Sequence, residues 1–342
     1  MSLPSTIEAI SIPEPGGIDI IEKKTWPFPK VEPDHLVIKV EYFGINFIDT
    51  YHRSGFYALK QYPAIIGKET AGHVVALPTD PAVLNHPVFK SQGFAIGSKV
   101  AADYTSTHST YISVPWKNVY AIPSEVSTLT AAAGLLQAVT AVSFFDEAYN
   151  VKKGDIILVH TVAGGLGLLF AQLGRLRGAT VIGTTSTVEK AALAKANGAD
   201  YVILYPTEDT VQRVLEITNG EGVHAIFDGV GKDTFDNNFK IIRRKGTIVS
   251  VGNASGGVPP FSVLKLVEKN VTLLRPTMTN YTYTPEEVQH YGRKVFGLIA
   301  SGALKIQVFK EYPFTAEGVK QAQRDLVGGK TTGKLVVKVT DE

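Results

Sequence analysis

The sequence of 342 residues contains no cysteine. Disulfides, thiol nucleophiles and thiolate metal sites are therefore excluded together. The sequence also lacks an excess of charge of either sign, because 34 Lys and Arg nearly balance 32 Asp and Glu and leave a net charge of +2. A chain so close to neutral has no electrostatic footprint for a nucleic acid or an anionic membrane surface.

Long apolar runs are scarce as well. We find no uninterrupted apolar segment near the roughly 20 residues that span a bilayer, and no basic start followed by an apolar core. We therefore expect a cytoplasmic protein. The composition, 44% hydrophobic and 19% charged, is that of an ordinary globular protein, and the length is enough for two domains.

The most informative segment is a glycine-rich turn at residues 160–167, His-Thr-Val-Ala-Gly-Gly-Leu-Gly. It follows an apolar run and opens into a segment with leucines at helical spacing. A strand, a glycine turn and a helix in this order hold the pyrophosphate of a dinucleotide, because backbone amides point at the phosphates. The cofactor contacts expected here are Ala163, Gly164, Gly165, Leu166 and Gly167.

The organisation of the chain changes near residue 133. Residues 1–132 contain short alternating strands with frequent proline and glycine, which predicts a mainly β domain. Within it, the proline-rich residues 77–97 are interpreted as a surface excursion between strands. Residues 133–274 alternate strands with helices, which predicts an α/β fold with a doubly wound parallel sheet. Residues 275–342 are expected to return to the first domain.

The elements of the second part can be placed from its pattern. We predict strands at 156–160, 180–183, 201–204, 225–228, 247–251 and 271–274. We predict helices at 188–197, behind Ser186 or Thr187 as cap, and at 208–218, behind Thr207. In the tail, we predict helices at 286–301 and 316–326 and a last strand at 334–339.

The end of the second predicted strand indicates which cofactor binds. An acidic side chain about 20 residues beyond the glycines would bind the ribose of NAD. This sequence has Thr-Thr-Ser-Thr at 184–187 and then Lys190. Hydroxyls and a cation can bind a 2′-phosphate, whereas a carboxylate would repel it. We therefore predict NADPH, held by Thr185, Ser186, Thr187 and Lys190. The simpler interpretation is that the hydroxyls only cap a helix and Lys190 is solvated.

Segments along nearly the whole chain carry a family resemblance. They are residues 44–51, 53–57, 63–72, 136–140, 160–167, 183–190, 227–231, 251–256, 274–278 and 330–333. Together they resemble the zinc-free medium-chain dehydrogenases/reductases, close to the NADPH:quinone oxidoreductase (zeta-crystallin-like) family. The resemblance implies a GroES-like catalytic domain, a Rossmann cofactor domain, and a homodimer joined through the cofactor domain, along the edge at 271–274.

The resemblance also locates where a metal would be expected. Zinc-dependent relatives use a cysteine and a histidine at the positions of Asn46 and Lys68. An amide and an ammonium cannot replace a thiolate and an imidazole on zinc, so we expect no metal. His160 is interpreted as a packing or hydrogen-bonding residue. Val162 stands where the family's loop usually carries alanine, and its β-branched side chain is expected to narrow the cofactor's approach.

By resemblance, the catalytic residues are Asn46, Asp49, Tyr51, Tyr57 and Arg275, lining an interdomain cleft in which hydride passes from NADPH to a quinone. The tyrosines could donate hydrogen bonds to the acceptor. Further cofactor contacts implied are Phe47, Thr140, Tyr205, Val230, Gly252, Asn253, Pro276, Thr277, Met278, Lys330 and Gly333. The residues alone leave a plainer interpretation, in which Asn46 and Asp49 stabilise a turn and the tyrosines fill half-buried surface.

Two alternatives remain open. An NADPH-dependent reductase of α,β-unsaturated carbonyls, such as alkenals or enones, would use the same cofactor and fold. A role of another class, as a crystallin-like or AU-rich RNA-binding protein, also follows from the resemblance. The near-neutral charge argues against nucleic acid as the main partner.

Overall fold

The structure, a computed structural model, describes residues 3–339. They form two compact units: unit 1 runs to Val139 and resumes at Thr282, and unit 2 is Thr140–Tyr281. The sequence pattern placed the boundaries at 132/133 and 274/275. The observed first boundary, between Val139 and Thr140, lies inside a single apolar helix, Thr128–Ser143. The hydrophobic pattern of this helix does not mark where one unit ends and the next begins.

Sixteen strands lie within residues 3–339. They are β1 Thr6–Ile12, β2 Glu22–Pro27, β3 His35–Ile45, β4 Ala64–Ile65, β5 Glu69–Ala76, β6 Lys99–Asp103, β7 Tyr111–Pro115, β8 Val119–Ala121, β9 Ile156–Val159, β10 Thr180–Thr185, β11 Tyr201–Leu204, β12 Val223–Asp228, β13 Ile242–Ser250, β14 Thr272–Leu274, β15 Val308–Pro313 and β16 Lys334–Lys338.

Eleven α-helices accompany the strands in the same part of the chain. They are α1 Phe47–Ser54, α2 Pro81–Asn85, α3 Pro87–Gln92, α4 Thr128–Ser143, α5 Gly165–Leu176, α6 Val188–Ala196, α7 Thr210–Ile217, α8 Phe235–Ile241, α9 Met278–Tyr281, α10 Pro285–Ala300 and α11 Ala316–Val327. A π-helical turn, Phe144–Ala148, continues α4, and a 3-10 segment, Val263–Lys269, precedes β14.

Unit 1 is mainly β, as its strand pattern predicts. A seven-stranded sheet has the order β15-β16-β3-β5-β6-β8, with β7 also paired to β3, and a three-stranded sheet has the order β2-β1-β4. The long strand β3 alternates its side chains between two apolar clusters, with Leu36 and Ile38 in one and Phe43 and Ile45 in the other. The tail returns to this unit, because β16 pairs with β3.

Residues 77–97 correct one expectation. They lie between β5 and β6 as predicted, but they form the short helices α2 and α3, each opened by a proline. Val83, Val88 and Phe89 of these helices pack into the apolar cluster beside the main sheet. The segment therefore contributes to the core of unit 1, and is not only a surface excursion.

Unit 2 is a fully parallel six-stranded sheet in the order β11-β10-β9-β12-β13-β14. The chain enters at β9 in the middle, extends to one side through β10 and β11, and then crosses to the other side. This is the doubly wound arrangement, and its switch point lies between β9 and β12. Each predicted strand of unit 2 is present within a few residues, although β13 begins at Ile242, five residues earlier than predicted.

Helix starts in unit 2 follow the capping rules unevenly. Thr187 caps α6, as one of the two predicted candidates, by accepting from the Lys190 amide. The prediction of Thr207 for the next helix is wrong, because Asp209 caps α7 and accepts from Gln212 N at 3.0 Å. An Asp side chain is as good a cap as Thr, so composition alone does not choose between two neighbouring candidates.

One helical stretch corrects the expectation about apolar length. Within residues 3–339, Thr128–Ala148 has 21 residues and a mean hydropathy of 1.5, enough by length and composition to cross a membrane. However, 72% of this stretch's most apolar window is buried inside the protein. A helix that is apolar on all sides is typical of a buried core element as well as of a membrane span.

Candidate functional site

The glycine turn of unit 2 forms an anion site at a helix start. β9 ends at Val159, and α5 begins at Gly165 behind Gly164, whose backbone is extended. No side chain caps this helix. Because the first amides of a helix lack partners within the helix, those of α5 remain suited to phosphate oxygens. This arrangement fits the pyrophosphate of the predicted cofactor.

Val162 does not narrow the approach to this site, so that expectation is wrong. Its side chain is fully buried beneath the turn. A Cβ placed on Gly183 would lie 2.5 Å from the Val162 Cβ, and one placed on Gly167 would lie 2.4 Å from the Thr161 carbonyl oxygen. The two glycines therefore make room for the valine and the turn. Ala163 is buried in the same way, so its side chain does not face a ligand.

The other predicted cofactor residues of unit 2 mostly follow the carboxyl ends of its strands. All strands are parallel, so these positions share one edge of the sheet. The edge residues are Thr185 at the end of β10 with Ser186 and Thr187 after it, Tyr205 after β11, Val230 after β12, Gly252 and Asn253 after β13, and Pro276, Thr277 and Met278 after β14, where the predicted catalytic residue Arg275 also lies. Thr140 lies instead on α4.

The four hydroxyl-bearing residues at 184–187 do not all face solvent, and some of them have structural roles. Thr184 and Thr185 are buried, and Thr187 caps α6. The capping interpretation is thus correct for Thr187. Ser186, which is partly exposed, and Lys190 in the first turn of α6 remain as the side chains suited to a 2′-phosphate.

Three predicted cofactor residues belong to unit 1. They are Phe47 at the start of α1, and Lys330 and Gly333 before β16. Gly333 has a structural reason to be glycine, since its φ is +86° and a Cβ would lie 2.3 Å from the Gln307 carbonyl oxygen.

Arg275 lies in unit 2, exposed at the end of β14. Its guanidinium donates to the Ser250 carbonyl oxygen at 2.7 Å, which ties the ends of β14 and β13 together. The structure therefore places Arg275 among the strand ends of unit 2 that carry the predicted cofactor contacts. The other four predicted catalytic residues belong to unit 1.

Asn46 belongs to a buried polar cluster in unit 1. Its Oδ1 accepts from Lys334 Nζ at 2.6 Å, and its Nδ2 donates to Glu69 Oε1 at 2.8 Å. Lys334 also forms an ion pair with Glu69, whose other oxygen accepts from the Leu136 amide at 2.7 Å. Because both ends of the Asn46 amide are engaged, this residue holds the start of α1 and is not an available donor for a substrate.

Asp49 is fully buried and corrects a second catalytic expectation. Its Oδ2 accepts from the Asn46 amide at 2.7 Å, while its Oδ1 has no hydrogen-bond partner within residues 3–339. Burial raises the pKa of Asp49 to about 7, although the Asn46 amide and the charge of Lys334 oppose the rise. Asp49 therefore caps α1 from inside, as the plainer interpretation proposes, and does not face a substrate.

His108 lies against the same cluster and was missed from the sequence. Burial lowers its pKa to about 3, so the ring is neutral. Its Nε2 lies 3.3 Å from the Gly44 carbonyl oxygen, to which it donates, and the ring stacks on Phe43 at 4.0 Å between centroids. Glu69 and Lys334 were missed too, and the only signal for Lys334 was a charged residue opening an apolar strand.

Lys68 is the second position, after Asn46, at which a metal ligand was considered from the sequence. Its Nζ lies 2.7 Å from Asp103 Oδ1. Burial raises the pKa of Asp103, and the Lys68 charge opposes this. Asn46 and Lys68 are thus bound to neighbouring side chains, neither is a zinc ligand, and the sequence has no cysteine. Within residues 3–339 no group of three or more His, Asp or Glu side chains could hold a metal ion. The residues present do not fit a catalytic zinc.

Tyr51 and Tyr57 lie in an aromatic cluster on unit 1. Their rings meet edge to face at 5.2 Å between centroids, and the Tyr57 amide donates to the Tyr51 carbonyl. Phe56 packs on both rings, and Phe47 lies 6.3 Å from Tyr51. Phe47 and Phe56 are exposed, so the cluster presents an aromatic, apolar surface with phenol groups.

The raised pKa of Asp49 predicts a pH-dependent stability. Its unfolded value is near 3.8, so the stability associated with this carboxyl is complete below about pH 4 and is lost as the pH rises through 7. Asp49→Asn stays neutral and keeps an acceptor oxygen. Between about pH 5 and pH 9, wild type should lose roughly 2–3 kcal/mol of unfolding free energy relative to Asp49→Asn. Urea unfolding at both pH values measures this.

The matched control is Asp19→Asn, whose carboxylate is 89% exposed in the same unit. This variant should follow wild type at both pH values. A difference between wild type and Asp49→Asn that does not change with pH would contradict the assignment of a buried carboxyl that ionises near neutrality.

Comparisons with known proteins agree with this geometry. An alcohol dehydrogenase GroES-like domain family matches residues 32–143, and a zinc-binding dehydrogenase family matches residues 165–293. The chain is 33% identical over 344 residues to a probable quinone oxidoreductase of Schizosaccharomyces pombe, covering 97% of each chain. It is 29% identical over 314 residues to 2-haloacrylate reductase of a Burkholderia species, covering 89% of this chain and 91% of that protein.

A solved structure gives the same result. Escherichia coli quinone oxidoreductase complexed with NADPH matches with a TM-score of 0.90 at 30% identity, covering 97% of this chain and 100% of that one. These matches confirm the predicted fold class, a GroES-like domain with a Rossmann-type parallel sheet. Despite the name of one matched family, the donor set around Asn46 and Lys68 does not suit zinc. The chain belongs to the quinone oxidoreductase family of the medium-chain dehydrogenases/reductases.

Proposed function

We propose that this protein is an NADPH-dependent quinone reductase that works without a metal. The observation that carries the proposal is the uncapped start of α5 behind Gly164, with Ser186 just after the neighbouring strand β10 and Lys190 in the first turn of α6. The family membership and the NADPH complex of the related Escherichia coli enzyme support it. NADPH, when bound, supplies the hydride.

The protein's own part in the reaction is binding and orientation. The α5 amides hold the pyrophosphate, and Lys190 with Ser186 holds the 2′-phosphate. On the acceptor side, the aromatic cluster of Tyr51, Tyr57 and their phenylalanine neighbours offers rings against which a quinone ring can pack. The tyrosine hydroxyls donate hydrogen bonds to the quinone oxygen on which negative charge develops. The Asn46–Glu69–Lys334 cluster fixes the start of the helix that carries Tyr51.

The acceptor is tested with a panel. Purified protein with NADPH should reduce 1,4-naphthoquinone and phenanthrenequinone faster than 2-alkenals, because a quinone gains electrons without protonation of a carbon. The readout is NADPH oxidation at 340 nm with each acceptor. The similarity to 2-haloacrylate reductase makes an activated alkene the second candidate. Steady turnover of 2-alkenals or 2-haloacrylates with negligible turnover of quinones would establish that alternative and reject the quinone proposal.

The choice of cofactor is tested at Lys190. Lys190→Glu places a carboxylate beside the 2′-phosphate, so the affinity for NADPH should fall by about tenfold to a hundredfold, while that for NADH changes little. Fluorescence titration of both reduced nucleotides measures the two dissociation constants. Lys195→Glu, on the same helix but near its end, is the matched control and should leave both unchanged. Equal weakening of NADPH and NADH by Lys190→Glu would mean that this lysine does not contact the 2′-phosphate.

We also propose that the protein is a homodimer joined through unit 2. β14 is the edge strand of the parallel sheet, and an open edge invites pairing with a second copy. The 3-10 segment just before it exposes Val263 at 71%, Leu264 at 73% and Val267 at 65%. A cluster of apolar side chains next to an open edge is typical of a contact surface.

The dimer is tested at that surface. Leu264→Asp should convert the dimer to a monomer, because it would bury a carboxylate in an apolar contact. Light scattering on a size-exclusion column gives the mass. Ile96→Asp, a substitution of a 62% exposed side chain of unit 1, should remain dimeric. A wild type that elutes as a monomer at micromolar concentration would reject the homodimer.

A further inference from the structure

A continuous chain of hydrogen bonds, formed by four buried side chains and the Thr161 backbone amide, runs beneath the switch point of unit 2. It links Thr161, Thr184, His160, Asn238 and Asp228. The last four are buried, and Thr161 is the exposed residue at the start of the glycine turn. The chain joins the ends of β9, β10 and β12, including the two strands that flank the switch point.

The carboxylate of Asp228 fixes one end of this chain. Its Oδ1 accepts from the amides of Val230 and Gly231 at 2.8 and 3.1 Å. Its Oδ2 accepts from Thr234 Oγ1 and Asn238 Nδ2, both at 2.7 Å. The carboxylate accepts only, so the Asn238 Nδ2 must be its donor. The Asn238 Oδ1 is thereby turned toward His160.

The donors and acceptors of the other hydrogen bonds follow from the orientation of the Asn238 amide. Asn238 Oδ1 can only accept, so His160 Nε2, 2.9 Å away, carries the proton. His160 Nδ1 is then an acceptor for the Thr184 hydroxyl at 3.1 Å, and the same hydroxyl oxygen accepts from the Thr161 amide at 3.3 Å. Every bond points the same way and ends on the carboxylate of Asp228, an arrangement in which successive hydrogen bonds strengthen one another. In this arrangement the His160 ring donates from Nε2 and accepts at Nδ1.

Thr161 is the residue that this chain holds. Its φ is +56°, a left-handed conformation that is rare for a β-branched side chain and that persists only where the surroundings enforce it. Its carbonyl oxygen accepts from the Gly164 amide at 2.9 Å, so the turn leading to α5 depends on the conformation of Thr161. A Cβ on Gly229, across the switch point, would lie 3.7 Å from Thr161 Oγ1.

We propose that His160 is a positioning residue for the cofactor's pyrophosphate. Through Thr184 it holds Thr161 in its left-handed conformation, and through Asn238 it ties that turn to Asp228, which fixes the amides after β12. One buried imidazole thus holds both the turn after β9 and the backbone amides after β12, which lie on the two sides of the switch point. His160 touches no phosphate itself. The inference rests on the proposed NADPH function and specifies how the same site keeps its shape.

The test separates the pyrophosphate from the rest of the nucleotide. His160→Gln keeps a donor toward Asn238, but its only acceptor, the amide oxygen, is attached one carbon further along the side chain than the imidazole Nδ1 that accepts from Thr184. Thr184→Val removes the hydroxyl with little change in shape. Each should weaken NADPH and NADH by the same factor, about tenfold, because both nucleotides carry the same pyrophosphate. Binding of 2′-AMP, which has the 2′-phosphate but no pyrophosphate, should not change. Fluorescence titration and calorimetry at a temperature where all variants are folded give these affinities.

Two further variants serve as controls. Thr184→Ser restores the hydroxyl and should recover most of the lost affinity. Thr218→Val removes a buried hydroxyl with the same 5% exposure as His160, near the opposite ends of the strands. It should lower the melting temperature without changing the affinity for any of the three nucleotides.

The outcomes distinguish this inference from the proposed function. Unchanged NADPH affinity in both His160→Gln and Thr184→Val would overturn the positioning role, as would a loss of 2′-AMP affinity equal to that of NADPH. A wild type that binds neither NADPH nor NADH would overturn the positioning role and the proposed function together. Tight NADPH binding without quinone turnover would reject only the proposed function, and pyrophosphate-specific losses in the variants would still support the positioning role.

Discussion

Parallel pairing places the carboxyl ends of neighbouring strands at one edge of a sheet, and the nucleotide site of unit 2 depends on this constraint. Residues from six separate loops, spread over more than a hundred positions of the chain, reach the same edge because all six strands run in one direction. The crossing from β11 to β12 opens the crevice between β9 and β12. The hydrogen-bond chain through His160 then holds that crevice in one shape, since it fixes the turns that follow both flanking strands.

Unit 1 meets a different constraint, which is the burial of charge. Lys334 and Glu69 are almost completely inaccessible, and either one alone would be strongly destabilising. Their ion pair, completed by Asn46 and the Leu136 amide, satisfies the charges and joins β16, β5, α4 and the start of α1. Around Asn46 the chain therefore has a closed set of hydrogen bonds. Removing either Lys334 or Glu69 alone would leave the other charge buried and unpaired beside the start of α1.

Much of the fold follows from local sequence signals. The glycine turn and the strand pattern of unit 2 were predicted because they depend on neighbours within about ten residues. The same local signals were wrong about Val162 and incomplete about residues 77–97. A β-branched side chain in a glycine turn gives no sign of whether it faces a ligand or the core, and the space beneath it comes from Gly183, some twenty residues later.

The sequence by itself determined the dinucleotide fold, the likeness to a metal-free reductase and the hydroxyl-rich end of β10. Each of these depends on short contiguous segments of the chain, which can be recognised without knowing the tertiary structure. Only the tertiary structure decided what the polar residues do. Asp49 is fully buried. Asn46 forms a hydrogen bond with a lysine 288 positions away, and His160 forms one with a residue 78 positions later. Such partners come together only when the sheets form, so a side chain's role as ligand contact or internal support is set by packing.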